Sequence, residues 1–301
     1  MEKRDLQGML LGLIGVIVFS LTLPMTHIVV REINPILNGL GRALLAAIPA
    51  ALLLWLRRVP LPTRAQLKGL VLVSAGVIVV FPVCTAWAMR TLPSAHGAVV
   101  MGLQPLCVAL YAAWLSHERL SRRFWVGALA GSVLVIGFAL RAGGGEPHVG
   151  DLLMLAAVGV GALGYAEGGR LAREMGGWQV ICWALVLSAP FLLAPVAWLV
   201  HVHRGPVSQQ TWLAFGYVTV FSQFIGFFAW YAGLAMGGIA RVGQVQLLQI
   251  FFTLGFSALF FGEHVEPLTW LFAAAVIVCV AFGRQTKAAP RTGAPSALGT
   301  S

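Results

Sequence analysis

Charge is what this sequence has least of. Of its 301 residues only 10% are Asp, Glu, Lys or Arg, while 59% are hydrophobic. Soluble domains carry roughly 25% charged residues, so a water-soluble fold of this length could not hide its apolar surface. Acids are scarcest: all ten lie at or near the ends of apolar runs, Glu167 deepest. Cysteine is confined to Cys84, Cys107, Cys182 and Cys279, one in each of four runs and without a CxxC pair, which excludes a disulfide framework and suggests buried, inert thiols. No gap between runs could hold a soluble domain. Gly143-Gly144-Gly145 lacks the Lys-Ser/Thr of a phosphate-binding loop. His117-Glu118 has Ser121 where a zinc protease needs His, and His201 and His203 have no evident third ligand. Neither cofactor nor metal is expected.

What is present is ten apolar runs, at 6–30, 35–56, 67–89, 95–116, 124–141, 151–169, 178–200, 212–236, 240–261 and 267–283. A bilayer core of about 30 Å needs about 20 helical residues. The runs are continuously apolar, not alternating as barrel strands would be, and helices satisfy their own backbone polar groups in lipid. The first run is too long for a signal peptide, has no clear cleavage site, and reads as a retained helix. Fifteen Lys and Arg fall in one alternate set of gaps and termini and four in the other, with Arg42 inside a run. That asymmetry sets both termini in the cytoplasm, and the net charge of +10 is read as topology-setting, not as a nucleic-acid footprint. Ala-, Gly-, Arg- and Val-rich usage suggests a bacterium. The expectation is an all-α polytopic protein of the inner (plasma) membrane with ten transmembrane helices.

The runs repeat. Glu118 and Trp125 recur as Glu263 and Trp270, and Gln104 as Gln249, all at an offset of 145. Ala86-Trp87 recurs as Ala229-Trp230, and Asp5-Leu6 as Asp151-Leu152. The reading is two five-helix repeats, 5–141 and 151–283, followed by a disordered cytoplasmic tail, 284–301. An odd number of helices per repeat inverts the second, a construction recurrent in secondary transporters.

Ten runs in a 5+5 repeat, Arg42 within Asn38-Gly39-Leu40-Gly41-Arg42-Ala43, and the acids of Ser116-His117-Glu118 and Phe261-Gly262-Glu263 together resemble the drug/metabolite transporter superfamily, EamA type. Within it the chain is most similar to the YddG-type exporters of aromatic and other neutral amino acids. It departs from the pattern at Ser116-His117-Glu118, which lacks Gly-Glu, and at Phe19-Ser20-Leu21-Thr22-Leu23-Pro24, where Trp-Gly is common. The resemblance implies a carrier of small molecules.

Candidate site residues follow from polar and aromatic groups inside the runs. Gln104 and Gln249 sit near mid-bilayer, where an amide is costly unless bonded or wetted. Gln246, Gln249 and Thr253 share a helix face. These point to a central cavity lined by Gln104, Gln246 and Gln249; interhelical glue is the alternative. Tyr111, Phe19, Phe81, Tyr165 (in a short sixth run), Tyr217 and Phe224 are candidates for apolar contact with a substrate, against the plainer reading of packing. Pro82 and Pro105 are candidate hinges, since each can free a carbonyl one turn earlier. Arg42 is favoured as structural, snorkelling outward or pairing with Glu32, with a substrate carboxylate as the alternative. Trp87 and Trp230 are expected to anchor at the interface.

The expected function is export of small amphipathic metabolites, foremost neutral or aromatic amino acids, by alternating access. Driven carriers usually place a carboxylate or His in the membrane path; its absence points to facilitated transport, with coupling through Glu167 as the alternative. Membrane lipid and a small-molecule substrate are the expected partners. A monomer is expected, with a dimer through Gly127 and Gly131 open. The competing classes are a membrane-embedded transferase and a passive channel.

Overall fold

Local signals set the helix ends. The Thr63 hydroxyl accepts from Gln66 N while the Gln66 side chain accepts from Thr63 N, a reciprocal cap. Asn34 caps Ile36 N ahead of Pro35, and Ser208 caps Thr211 N. Gly176 (φ 91°) and Gly238 (φ 87°) end helices where a side chain would be strained.

The computed structural model describes residues 3–115, 122–142, 148–262 and 264–282. Glu118, Glu263 and the tail 284–301 lie outside these. All regular elements among the described residues are helical. They join end to end as α1 (Arg4–Glu32), α2 (Pro35–Leu56), α3 (Arg64–Ala88), α4 (Ser94–Leu115), α5 (Arg122–Ala142), α6 (Val149–Met175), α7 (Gly177–Val202), α8 (Gln209–Gly237), α9 (239–261) and α10 (Pro267–Phe282). Among the described residues seven of these (α1–α4 and α6–α8) are long and apolar enough to cross a membrane. The other three carry shorter apolar stretches: Trp125–Val135, Val245–Phe260 and Pro267–Cys279. The protein is thus an all-α polytopic membrane protein. The sixth helix, expected to be short, runs for 27 residues, because it continues past the apolar run through Arg170, which pairs back to Glu167 and on to Glu174.

Three of the helices are interrupted where a proline removes a backbone donor. α1 breaks at Leu21 ahead of Pro24, α3 widens into a π-turn over Ser74–Val80 ahead of Pro82, and α4 breaks after Met101 ahead of Pro105. Each break includes or adjoins the carbonyl four residues before the proline. α8 widens over Val218–Ile225 without a proline, just ahead of Gly226, whose missing side chain admits the Phe19 ring. α9 tightens to a 3₁₀ turn at Gln244–Leu247.

Packing joins the first and second halves of the chain. α1 packs on α8, and α6 packs on α3 in the corresponding manner; α2 pairs with α7, α4 with α9 and α5 with α10. Glycines set the closest approaches. A Cβ on Gly8 would lie 2.5 Å from Gly237 N, and one on Gly76 would lie 2.6 Å from Val160 O. Such small-residue contacts replace the hydrophobic effect, which lipid does not supply between helices. Gly131 faces Leu103, Leu106 and Cys279 of its own chain, so that side of α5 is engaged internally. Large apolar side chains such as Ile48, Trp55, Phe191 and Leu259 point outward, the pattern of a lipid-facing surface.

Candidate functional site

The interruptions of α1, α3 and α4 surround one small chamber. Its apolar wall is made by Phe19, Leu23, Val77, Phe81, Met101 and Phe227. Its polar wall is made by Thr22, Arg42, Tyr165, Ser222, Gln223 and Gln249. Its free volume is only about 10 Å³, about one water's worth. The chamber is narrow, and its lining residues are buried. An adjoining cleft, sharing Met101 and Gln249, is lined by Gln246 and Thr253.

The polar groups are held from several helices. Thr22 and Ser222 hydroxyls meet at 2.8 Å, tying α1 to α8. Gln223 Nε2 donates to Val77 O at 3.4 Å, and Gln249 Nε2 to Phe19 O at 3.4 Å. The Thr253 hydroxyl donates to Ser20 O at 2.9 Å, a carbonyl beside the α1 break. Several polar atoms are nevertheless buried without a partner: Gln249 Oε1, both amide atoms of Gln246, and Nε and Nη1 of Arg42. A buried polar group without a hydrogen bond costs about 1–3 kcal/mol, and an unpaired buried charge more. Three of these atoms border the chamber and two the adjoining cleft, where a polar ligand would find groups to pair with.

Four of the expected contact residues, Phe19, Phe81, Tyr165 and Gln249, line the chamber, and Gln246 lines the adjoining cleft. Phe19 and Tyr165 stack with ring centroids 6.4 Å apart, backed by Trp230. Gln104 lies outside the chamber. It is fully buried at the α4 break against α6, and its Nε2 would sit 3.4 Å from a Cβ on Gly161. Tyr111 is half-buried away from it. Tyr217 donates to Val18 O at 2.9 Å behind the wall, and Phe224 packs edge-on against Phe228. Pro82 and Pro105 each stand in the first turn after a break.

Two readings of the sequence are corrected. Trp230 is not an interface anchor: it is 0% exposed, its ring packed against both Phe19 and Tyr165, whereas its repeat mate Trp87 is 38% exposed under Arg90. Arg42 does not pair with Glu32, whose carboxylate instead accepts from Ser208 N at 2.7 Å. Arg42 is 1% exposed and faces the chamber. It is the main chamber residue the sequence reading undervalued, with Thr22, Ser222, Gln223 and Phe227. Gln223 carried the signal that singled out Gln104, an amide mid-run, but was overlooked inside the aromatic stripe.

Two further polar pairs, the first of them buried, lie away from the chamber. His96 Nε2 and Asp151 Oδ1 are 2.6 Å apart, joining the starts of α4 and α6. Glu167 is engaged by Arg170 at 2.7 Å. Among the described residues no group of three or more His, Cys, Asp or Glu could hold a metal ion.

Comparison with known proteins gives a consistent result. The profile of the EamA-like transporter family matches twice, at residues 6–140 and 148–283. YdeK of Bacillus subtilis (strain 168), described as an uncharacterized transporter, is 43% identical over 94% of this chain and 99% of its own length. Protein PecM of Dickeya dadantii (strain 3937) is 26% identical over 88% of this chain and 92% of its own. A crystal structure 19% identical in sequence superposes with a TM-score of 0.67, covering 92% of this chain and 97% of the other. That last likeness concerns the fold.

Proposed function

The chain belongs to the EamA-like transporter family, and from that premise we propose that it exports small amphipathic metabolites by exposing the central chamber to one side of the membrane and then the other. The family and its relative YdeK are named for transport, not for an enzymatic activity. The observation that carries the reading is the chamber itself: a narrow, partly polar cavity bounded by helices of both halves, with unsatisfied amide and guanidinium atoms around it.

The reciprocal packing of α1 on α8 and α6 on α3, together with the double match to one family profile, supports two inverted five-helix repeats and ten crossings. We place both termini in the cytoplasm on the Lys and Arg asymmetry, the protein in the bacterial inner membrane, and the functional unit as a monomer. Rocking of the halves would open the chamber at the helix breaks beside Pro82 and Pro105. The aromatic wall favours neutral or aromatic amino acids as substrates, as in the YddG-like exporters the sequence resembles. Among the described residues, none lining the chamber is a carboxylate or histidine, which favours facilitated transport driven by the substrate's own gradient.

The test is counterflow in proteoliposomes, run with a panel of amino acids and nucleotide-sugar-like solutes. Saturable uptake that is accelerated by the same solute inside is expected for a member of the panel. Flux that grows linearly without saturation would indicate a channel instead.

A further inference from the structure

Resting on the carrier reading above, we propose that Arg42 is the docking point for a carboxylate on the transported molecule, and that the substrate class is therefore small organic acids, amino acids among them. Arg42 projects from the first half of α2 into the chamber and is 1% exposed. Its Nε and Nη1 have no hydrogen-bond partner, and no ion pair to it exists among the described residues. Glu32, one partner the sequence offered for it, is committed to the Ser208 backbone.

A guanidinium cannot shed its charge as a buried lysine can, and its planar fork matches a carboxylate through two parallel hydrogen bonds. The chamber thus lacks one negative charge, and a bound anion supplies it. The remaining groups fit the rest of such a molecule. Gln249 Oε1 is an unused acceptor for an ammonium or hydroxyl donor. Phe19, Phe81 and Phe227 offer rings to an apolar or aromatic body. A net positive chamber with no carboxylate among the described residues of its wall does not suit an amine lacking an acid.

The experiment uses the full purified chain in proteoliposomes and matched pairs of probes: L-phenylalanine with L-phenylalaninamide, and 3-phenylpropanoate with 3-phenylpropanamide. Counterflow above protein-free liposomes is measured for each. The acids are expected to be preferred over their amides by about tenfold or more, the size of a charge-assisted hydrogen bond. Arg42→Gln is expected to erase that preference and Arg42→Lys to keep part of it. If Arg42→Gln does not fold, the acid-to-amide ratio of the unaltered protein decides alone. Amides carried as well as acids, or an unchanged preference in folded Arg42→Gln, would overturn the assignment of Arg42 while leaving the carrier reading intact. Absence of saturable counterflow for every solute tried would overturn both.

Discussion

The amide of Gln223 reaches 3.4 Å to the carbonyl of Val77, so the π-turn of α8 touches the π-turn of α3 at the chamber wall. The two turns occupy corresponding places in the halves, at Ser74–Val80 and Val218–Ile225. A π-turn loosens the regular backbone ladder and frequently marks a functional position. Here it brings a carbonyl of one half within reach of a side chain of the other. Gln223→Leu removes the donor and leaves Val77 O unpaired. The expected cost is about 1 kcal/mol, read as a fall of a few degrees in the Tm of the purified protein. An unchanged Tm would mean that this contact contributes nothing to stability.

Gln249 and Gln104 are repeat mates in the sequence with different surroundings in the structure. Gln249 borders both the chamber and the adjoining cleft; Gln104 is buried at the α4 break beside Gly161. Gln249→Leu should abolish transport at normal expression. Gln104→Leu should leave KM unchanged, and because it removes two buried polar atoms without partners it should not destabilise. Equal transport defects in the two variants would contradict the placement of the site.

The α1–α8 seam is set by glycine. A Cβ at Gly8 meets backbone at 2.5 Å, and one at Gly233 meets Gly12 N at 2.8 Å. Gly8→Val should therefore block assembly and reduce folded protein to a small fraction, seen as loss of the monodisperse peak in detergent. Gly159 has nothing within 4 Å of an added Cβ, so Gly159→Ala should be neutral or stabilising by up to about 1 kcal/mol from helix propensity. Comparable yields from both variants would count against close packing along this seam.

The membrane class and the approximate helix bounds were legible because apolar run length and the positions of Lys and Arg report directly on the bilayer. The run 35–56 coincides with α2, and the others fall within a few residues of the observed helices, save where α6 continues through its ion pairs. The site was only partly legible. Periodicity names the face on which Gln246, Gln249 and Thr253 lie, but not what that face meets. Gln104 stands just after the break that follows Met101 and packs against α6, outside the chamber, and its spacing along the run does not report which neighbour it meets. Trp230 and Trp87 share a sequence pattern, yet Phe19 and Tyr165 pack against only the first. Arg42 was undervalued because sequence offered it a nearby partner, Glu32, which the fold assigns to Ser208.

The His96–Asp151 pair is a buried imidazole and carboxylate at 2.6 Å, outside the chamber. Facilitated transport requires neither group to cycle a proton. Initial uptake in proteoliposomes should be the same with and without a pH gradient, and His96→Gln combined with Asp151→Asn should retain that indifference. A strict need for the gradient, lost in the double variant, would identify the pair as a coupling site and end the facilitator reading.

The most direct test of alternating exposure uses Met101, which borders both the chamber and the adjoining cleft. Met101→Cys is introduced after Cys84, Cys107, Cys182 and Cys279 are replaced, and a membrane-impermeant thiol reagent is applied to right-side-out and to inverted vesicles. Labelling is expected from both sides, slowed in each case by a transported solute. Labelling from one side only, or from neither, would contradict a chamber that opens in turn to the two faces of the membrane.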